Sequence, residues 1–175
     1  MKRFIYYLLL IIALCFVSET KAQDNYIKFN YGGELNINDD LHCINHSLGL
    51  EFGYFFTNNS AFEIGYAHGF EKDCISFNRI GINYLYECNT SYYFAPYFKC
   101  GVGYKSYYIE TDDYDYNIGG ADFKVGFGVN AYLDENIALT FGVDLSNTSF
   151  AYKYNWHWDW KSMMFTPNIG LSYNF

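Results

Sequence analysis

Apolar and polar residues alternate strictly in eight segments of this sequence. Such a period of two is the pattern of a β-strand with one apolar and one polar face, and an α-helix would not separate residues in this way. The apolar rows, counted in steps of two, run over Ile27–Ile37, Leu48–Phe56, Phe62–His68, Ile80–Tyr86, Phe94–Tyr104, Phe123–Ala131, Ile137–Leu145 and Phe165–Phe175. The sequence therefore predicts an all-β fold of eight strands.

The apolar rows carry no charge and many aromatic rings. None of their residues is Asp, Glu, Lys or Arg, although these make up 17% of the chain, and Tyr, Phe and Trp make up 23%. A small soluble core cannot bury so many rings, whereas a β-barrel in lipid needs them over its outer surface and in two interfacial girdles. The alternative is a soluble eight-stranded barrel with these rows inside, which would have to expose glycine to water. We expect the apolar rows to face lipid.

The opposite rows combine charges of both signs with glycine. Twelve of the 15 glycines fall in these rows. A narrow eight-stranded lumen accounts for this composition, because small residues leave room for long charged side chains to cross and pair. We therefore predict a luminal charge network, with four positive and five negative members. The nine residues are Lys28, Glu34, Glu51, Glu63, Arg79, Lys99, Asp122, Lys124 and Asp144.

The end of the sequence resembles a known signal. Gly170, Tyr173 and Phe175 are similar to the C-terminal insertion signature of bacterial outer-membrane β-barrels, and the whole alternating region resembles the small OmpX, OmpA-barrel and opacity-type family. The resemblance implies an eight-stranded, antiparallel, up-and-down transmembrane barrel in the outer membrane of a Gram-negative bacterium. It also implies that the barrel insertion machinery reads the last residues.

The connections between the predicted strands alternate in length. In this family short turns lie on the periplasmic side and long loops on the cell surface, so both chain ends are expected on the periplasmic side. The short connections are 57–60, 87–91 and 132–136, and the longer ones are 38–47, 71–77, 105–120 and 146–162.

The first 22 residues resemble a cleavable secretory signal peptide. Lys2 and Arg3 precede an apolar run over residues 4–17, and small residues surround a cleavage point after Ala22. We expect residues 23–175 to form one barrel domain. Removal of the signal leaves eight basic and eighteen acidic residues, a net charge of −10, which argues against nucleic-acid binding.

Four cysteines follow the predicted signal peptide, and they permit three complete pairings. Cys43 and Cys74 fall in the first two predicted surface loops, so a disulfide between them is one hypothesis and free thiols are the other. Cys88 lies at a turn and Cys100 in a lipid-facing row, which is poor geometry for a pair.

Catalytic and metal-binding patterns are weak. The stretch from Asp144 to Asn147 resembles the His-x-Ser-Asn stretch of an outer-membrane lipid A deacylase family, but Asp replaces the general base, so Ser146 would be a weak nucleophile. The acidic loop 110–115 lacks the spacing and the glycine of an EF-hand. We predict no catalytic residue, no cofactor and no metal site.

Three functions remain open at this stage. The preferred one is a non-enzymatic, monomeric surface protein, whose plugged barrel supports loops that meet an extracellular protein or glycan, or supports envelope integrity. We expect strands seven and eight to extend above the membrane, so that Trp156, Trp158 and Trp160 in the last loop dock on lipid head groups or on the loop itself. A patch for glycan or protein is the alternative. The second function is a narrow channel for ions or small solutes, and the third is a lipid A-modifying enzyme.

Overall fold

The computed structural model describes residues 25–36, 43–72, 75–88, 93–110, 115–152, 155–157 and 163–175. The predicted signal peptide, Cys74, Trp158 and Trp160 lie outside these ranges. The strands are β1 Asn25–Asn36, β2 Cys43–Phe55, β3 Ser60–Lys72, β4 Ile75–Glu87, β5 Phe94–Glu110, β6 Asp115–Tyr132, β7 Ile137–Tyr152, β8 Asn155–His157 and β9 Met163–Asn174. A search of the described ranges for a helix long and apolar enough to cross a membrane finds none.

Eight of these strands form a closed barrel. Strands β1 to β7 each pair antiparallel with the next, β7 pairs with β9, and β9 pairs with β1, so the sheet closes on itself. The short strand β8 pairs with the end of β7, where Phe150 lies opposite His157. The predicted fold class, an eight-stranded antiparallel up-and-down barrel, is confirmed.

The stagger of the strands sets the width of the barrel. Each residue of a strand lies opposite a partner on the next strand, and these partners can be followed around the barrel. From Tyr26 they are Gly53, Glu63, Asn83, Gly101, Lys124, Ser146, Met164 and finally Asn36 on β1 again. One circuit therefore returns to β1 ten residues beyond its starting point. A stagger of this size in eight strands tilts them by about 40° and leaves a lumen that side chains can fill.

The apolar rows face outward, as the alternation predicts. Ile64 is 59% exposed and Phe127 is 56% exposed, whereas Glu63 between its outward neighbours is fully buried. A soluble barrel with aromatic rows inside would show the reverse. The outer surface is therefore a continuous apolar face, which only a lipid environment can cover without the aggregation that such a face causes in water.

The two ends of the barrel differ. At one end, here called the turn end, residues 56–59 and 133–136 form tight turns, and the amide of Phe175 donates a hydrogen bond to the carbonyl of Asn25 (2.9 Å). Asp134 Oδ1 accepts from the amides of Asn136 (2.8 Å) and Ile137 (2.7 Å), which fixes the last turn. The opposite end is called the loop end.

Most strands reach further toward the loop end than their predicted rows. The sequence placed a loop over residues 105–120, but β5 and β6 pair as far as Glu110 and Asp115, so this prediction is wrong. Burial still alternates beyond Tyr104, with Lys105 and Tyr107 buried and Tyr108 exposed, and a backbone ladder needs no lipid to persist. Strands β5, β6 and β7 therefore have 17, 18 and 16 residues, against 12 or 13 in β1 to β4 and β9.

Candidate functional site

The centre of the lumen contains six charged side chains from six different strands. These are Lys28 on β1, Glu51 on β2, Glu63 on β3, Lys99 on β5, Lys124 on β6 and Asp144 on β7, and together they are called the central ion cluster. All six point inward because they share the inward parity of their strands. Three ammonium groups face three carboxylates, so the cluster has no net charge.

Glu51 is the centre of this cluster. Its carboxylate lies 3.1 Å from Lys28 Nζ, 3.1 Å from Lys99 Nζ and 3.5 Å from Lys124 Nζ. Glu63 holds Lys28 at 2.7 Å and Lys99 at 3.8 Å. Because each lysine has more than one carboxylate in reach, the cluster is one connected network and not a set of separate pairs.

Asp144 closes the network on the far wall. Its Oδ2 lies 3.4 Å from Lys124 Nζ and 4.0 Å from Lys99 Nζ. The network therefore crosses the lumen from the wall formed by β1 to β3 to the wall formed by β5 to β7, and the side chains of its members are at most 12% exposed.

Neutral donors complete the coordination of the two glutamates. Tyr26 Oη donates to Glu63 Oε1 (2.7 Å), and Asn30 Nδ2 donates to Glu51 Oε2 (2.9 Å). Asn83 Nδ2 donates to Glu63 Oε2 at 3.3 Å. Buried charges are stable only when their remaining lone pairs are satisfied in this way.

A second group of charges lies nearer the loop end. Arg79 Nε donates to Asp122 Oδ2 (2.5 Å), and Thr148 Oγ1 donates to Asp122 Oδ1 (3.1 Å). Lys105 forms an ion pair with Glu34, and its Nζ lies 4.2 Å from the centre of the Phe77 ring. A cation over a ring face gains electrostatic stabilisation in addition to the ion pair.

Aromatic and aliphatic side chains fill the turn end of the lumen. Tyr26, Ala61, Leu85 and Tyr97 form a buried cluster, against which Phe55 packs. The lumen is thus occupied at three levels, by this aromatic group, by the central ion cluster and by the pairs near the loop end.

Glu87 is also buried at the turn end. It accepts hydrogen bonds from Asn130 Nδ2 (2.5 Å) and Tyr132 Oη (2.8 Å). Thr140 Oγ1 in turn donates to Asn130 Oδ1 (2.8 Å), which orients the amide. This carboxylate is therefore held by neutral donors.

A small polar cavity lies between the central ion cluster and the ion pairs near the loop end. It has a volume of about 70 Å³, and its lining includes Glu51, Lys124, Arg79 and Ser146. A cavity of this size holds about five water molecules. Its lining includes members of the central ion cluster and of the ion pairs near the loop end.

Glycines allow the luminal rings to lie flat against the wall. A Cβ atom added at Gly53 would overlap the Tyr26 ring, and one at Gly69 would overlap Phe77. The Tyr97 ring covers Gly128 and Gly142 in the same way. The luminal glycines thus make room for aromatic rings as well as for charged side chains.

The structure places all nine residues of the predicted luminal network inside the barrel. The most exposed of them is Asp144, at 9% for the whole residue. Sequence reasoning missed two further charges, Lys105 and Glu87, and the luminal rings of Tyr26 and Tyr97. Lys105 was assigned to a loop and Glu87 to a turn. The sequence contained the information to find them, because each lies an even number of residues from a predicted luminal residue on the same strand. Lys105 is six residues from Lys99, and Glu87 is eight residues from Arg79.

The residues of the predicted insertion signal lie together on β9 and at the chain end. Gly170 is buried on the luminal side, whereas Tyr173 and Phe175 are exposed on the outer face with their rings stacked, 6.4 Å between centroids. Phe175 also contacts Phe52 on β2, 6.4 Å between ring centroids. They form part of an aromatic band at the turn end.

The remaining candidates do not assemble into a reactive site. Ser146 is buried beside the luminal cavity, while His46 and His68 occupy outward positions, so neither imidazole reaches it. Cys88 and Cys100 are free thiols, and the candidate disulfide falls on Cys74, outside the described part of the chain. A search of the described residues for groups of His, Cys, Asp and Glu that could hold a metal ion finds none.

Known proteins with this architecture are found by sequence and by structure. Residues 7–175 match the family described as outer membrane protein beta-barrel domain. A comparison with curated proteins finds no match.

Solved structures give the same architecture. The N-terminal β-barrel domain of Pseudomonas aeruginosa OprF has a TM-score of 0.66 and 15% identity, over 88% of this chain and 100% of that chain. Neisserial surface protein A (NspA) has a TM-score of 0.66 and 14% identity, over 87% and 97%. Ail, the attachment invasion locus protein of Yersinia pestis, has a TM-score of 0.60 and 14% identity, over 89% and 100%, and another of its structures contains the heparin analogue sucrose octasulfate.

These identities are low, so the structural likeness concerns the fold alone. The family match spans nearly the whole chain, and it agrees with the resemblance that the alternation and the last residues suggested. The chain therefore belongs to the outer membrane protein beta-barrel domain family and is an integral protein of the outer membrane of a Gram-negative bacterium.

Proposed function

We propose that this protein is a closed, non-enzymatic scaffold that presents its loop end to extracellular partners. The observation that carries the proposal is the central ion cluster, whose paired side chains cross the lumen. An ion entering from the loop end would have to separate Lys105 from Glu34 and then break into the network around Glu51. Separating buried opposite charges is unfavourable by several kcal/mol.

The aromatic group at the turn end adds a second barrier. Tyr26, Leu85 and Tyr97 are each at most 4% exposed, and their surfaces are mostly apolar. Hydrated ions do not cross such a constriction readily, because it offers few groups to replace their water. The narrow-channel function is therefore the second candidate, supported by the polar cavity above the cluster.

We expect purified protein in planar lipid bilayers to give no reproducible conductance steps. The variant Glu51→Ser with Lys99→Ser removes one anion and one cation from the cluster, leaves its net charge unchanged, and is expected to conduct. Tyr104→Ser with Phe123→Ser, on the outer face, is the matched control and should stay silent. Reproducible open steps from the parent protein would reject the closed scaffold and establish the channel.

The interaction surface of the scaffold is expected on the side of the long strands. β5, β6 and β7 are longer than the other strands and extend beyond them at the loop end. The Ail complex contains a polyanionic ligand, but the connection between β5 and β6 carries Asp112 and Asp113, and the mature chain is acidic. A protein or a neutral glycan therefore fits this surface better than a sulfated one.

We also propose that Tyr173 and Phe175 serve as the insertion signal during assembly. Phe175→Ala should lower the amount of protein in the outer membrane several-fold, measured by heat-dependent gel mobility of the membrane fraction. The finished barrel should lose only about 0.5 kcal/mol, because the ring is exposed and contacts few residues. Phe94→Ala is the control, since Phe94 is 58% exposed at the same end of the barrel. Equal yields of the two variants would contradict the signal role.

A further inference from the structure

The outer face of β1 to β4 carries a polar cluster where the alternation calls for apolar residues. Its members are Tyr31 on β1, His46 on β2, Tyr66 and His68 on β3 and Asn78 on β4, together called the outer polar cluster. His46 and Asn78 are exposed, and Tyr66 is 50% exposed. Ionisable or strongly polar side chains that face lipid are unfavourable and are rarely retained without a role.

Hydrogen bonds connect these residues in two groups. Tyr31 Oη lies 2.9 Å from His46 Nδ1, and the two rings stack with centroids 5.8 Å apart. Tyr66 Oη donates to Asn78 Oδ1 (2.6 Å), and His68 Nδ1 lies 2.9 Å from the same oxygen. An amide oxygen only accepts, so His68 Nδ1 is the donor in this contact.

These bonds leave three nitrogen atoms without a partner in the described part of the chain. They are Nε2 of His46, Nε2 of His68 and Nδ2 of Asn78. The three side chains belong to adjacent strands, and Leu48 beside His46 pairs directly with His68. With Tyr31 Oη donating to His46 Nδ1, His46 Nε2 carries an N–H group, and such a group and the amide of Asn78 donate well to phosphate oxygens. His68 donates through Nδ1, so its Nε2 is an acceptor in the neutral ring.

An apolar groove of about 640 Å³ begins at this cluster and runs along the outer surface. Tyr31, Tyr66 and His68 line it at the end that contains the cluster. Its apolar walls include Phe29, Leu48, Leu50 and Leu171. A groove with apolar walls and a polar end is complementary to an amphipathic ligand that has an acyl chain and a polar head.

The depth of the cluster agrees with such a ligand. Each member lies within six residues of the loop-end terminus of its strand. In small outer-membrane barrels the long loops face the cell surface, and the apolar band is about 25 Å tall. The cluster therefore lies at the level where the acyl chains of the outer leaflet meet their head groups.

We propose that the outer polar cluster and the groove below it form a docking site for the lipid A part of lipopolysaccharide. A phosphate on the sugar head would accept hydrogen bonds from His46 Nε2 and Asn78 Nδ2, a sugar hydroxyl would donate to His68 Nε2, and one acyl chain would lie in the groove. The outer leaflet at the loop end is the lipopolysaccharide leaflet, which favours lipid A over a phospholipid. This site is separate from the lumen, so it does not depend on whether the barrel conducts.

The test is native mass spectrometry of the full barrel in detergent, with hexa-acylated lipid A as the probe. We expect the parent protein to retain one lipid A, and the variant His46→Leu, His68→Leu, Asn78→Leu to lose it by tenfold or more. These substitutions place apolar residues in lipid-facing positions, so the barrel should assemble, which heat-dependent gel mobility verifies. Leu50→Trp, which blocks the groove and leaves the cluster intact, should weaken retention as well.

Three comparisons complete the design. Phe127→Trp, an equally outward substitution on β6, should retain lipid A like the parent. Lipid A without phosphates and phosphatidylglycerol should each be retained at least tenfold less. Equal retention of lipid A by the triple variant and the parent would overturn the proposal, as would equal retention of the dephosphorylated lipid or of phosphatidylglycerol by the parent.

Discussion

Replacing Glu51 by leucine is expected to destabilise the barrel by roughly 3–5 kcal/mol. The substitution removes the carboxylate that Lys28, Lys99 and Lys124 share, and it leaves Glu63 and Asp144 to balance three ammonium groups. Since the three lysine side chains are at most 9% exposed, the bulk solvent stabilises the excess positive charge only weakly. The measurement is the midpoint of urea unfolding in detergent micelles, read by heat-dependent gel mobility.

Two further variants test the cause of this loss. Adding Lys99→Met to Glu51→Leu restores the balance of charge, and it should recover a large part of the lost stability. Glu135→Leu, on an exposed turn, should change stability by no more than about 0.5 kcal/mol. If Glu51→Leu and Glu135→Leu unfolded at the same urea concentration, the central ion cluster would not be the network described above.

Gly142→Ala is expected to lower stability by about 1–3 kcal/mol through overpacking. The added methyl group would overlap the Tyr97 hydroxyl. Tyr97 is only 4% exposed, so its ring has little room to move away. Urea unfolding in micelles again measures the loss. Gly49→Ala is the control, because its nearest neighbour would be 3.6 Å from the new Cβ atom.

Removing the hydroxyl separates overpacking from a backbone effect. In a Tyr97→Phe background, Gly142→Ala should cost clearly less, since the overlapping atom is gone and the nearest remaining neighbour of the new Cβ, Asn168 Oδ1, lies at 3.0 Å. Gly128→Ala should not be rescued in the same background, because its Cβ would also overlap the carbonyl oxygen of Phe141. An undiminished loss at Gly142 without the hydroxyl would show that overlap with Tyr97 is not the cause.

The alternation was sufficient to predict which face of each strand points inward. Lys28 and Glu63 follow from parity alone, because neighbouring residues on a strand must point to opposite sides. The ends of the strands were harder to predict. The fifth predicted strand ended at Tyr104, whereas β5 and β6 continue as a hydrogen-bonded ladder, and this is why Lys105 was not recognised as luminal.

The partners of the luminal charges could not be predicted from the sequence. Lys99 meets Glu51, which lies 48 residues away, because of the stagger accumulated over the intervening strands. Which face a side chain points to depends on one strand, whereas the stagger depends on the closed sheet. A change of two residues in the stagger would leave every side chain on the same face but would give each luminal charge a different partner. The groove at the outer polar cluster depends on the same stagger.

The distribution of the central ion cluster along the chain bears on how the barrel forms. The strands β1 to β3 contribute one ammonium and two carboxylate groups, whereas β5 to β7 contribute two ammonium groups and one carboxylate. Each side of the central ion cluster thus carries an excess charge that the other side neutralises. A half-barrel would leave this excess charge unpaired in its interior, so closure of the barrel should be cooperative.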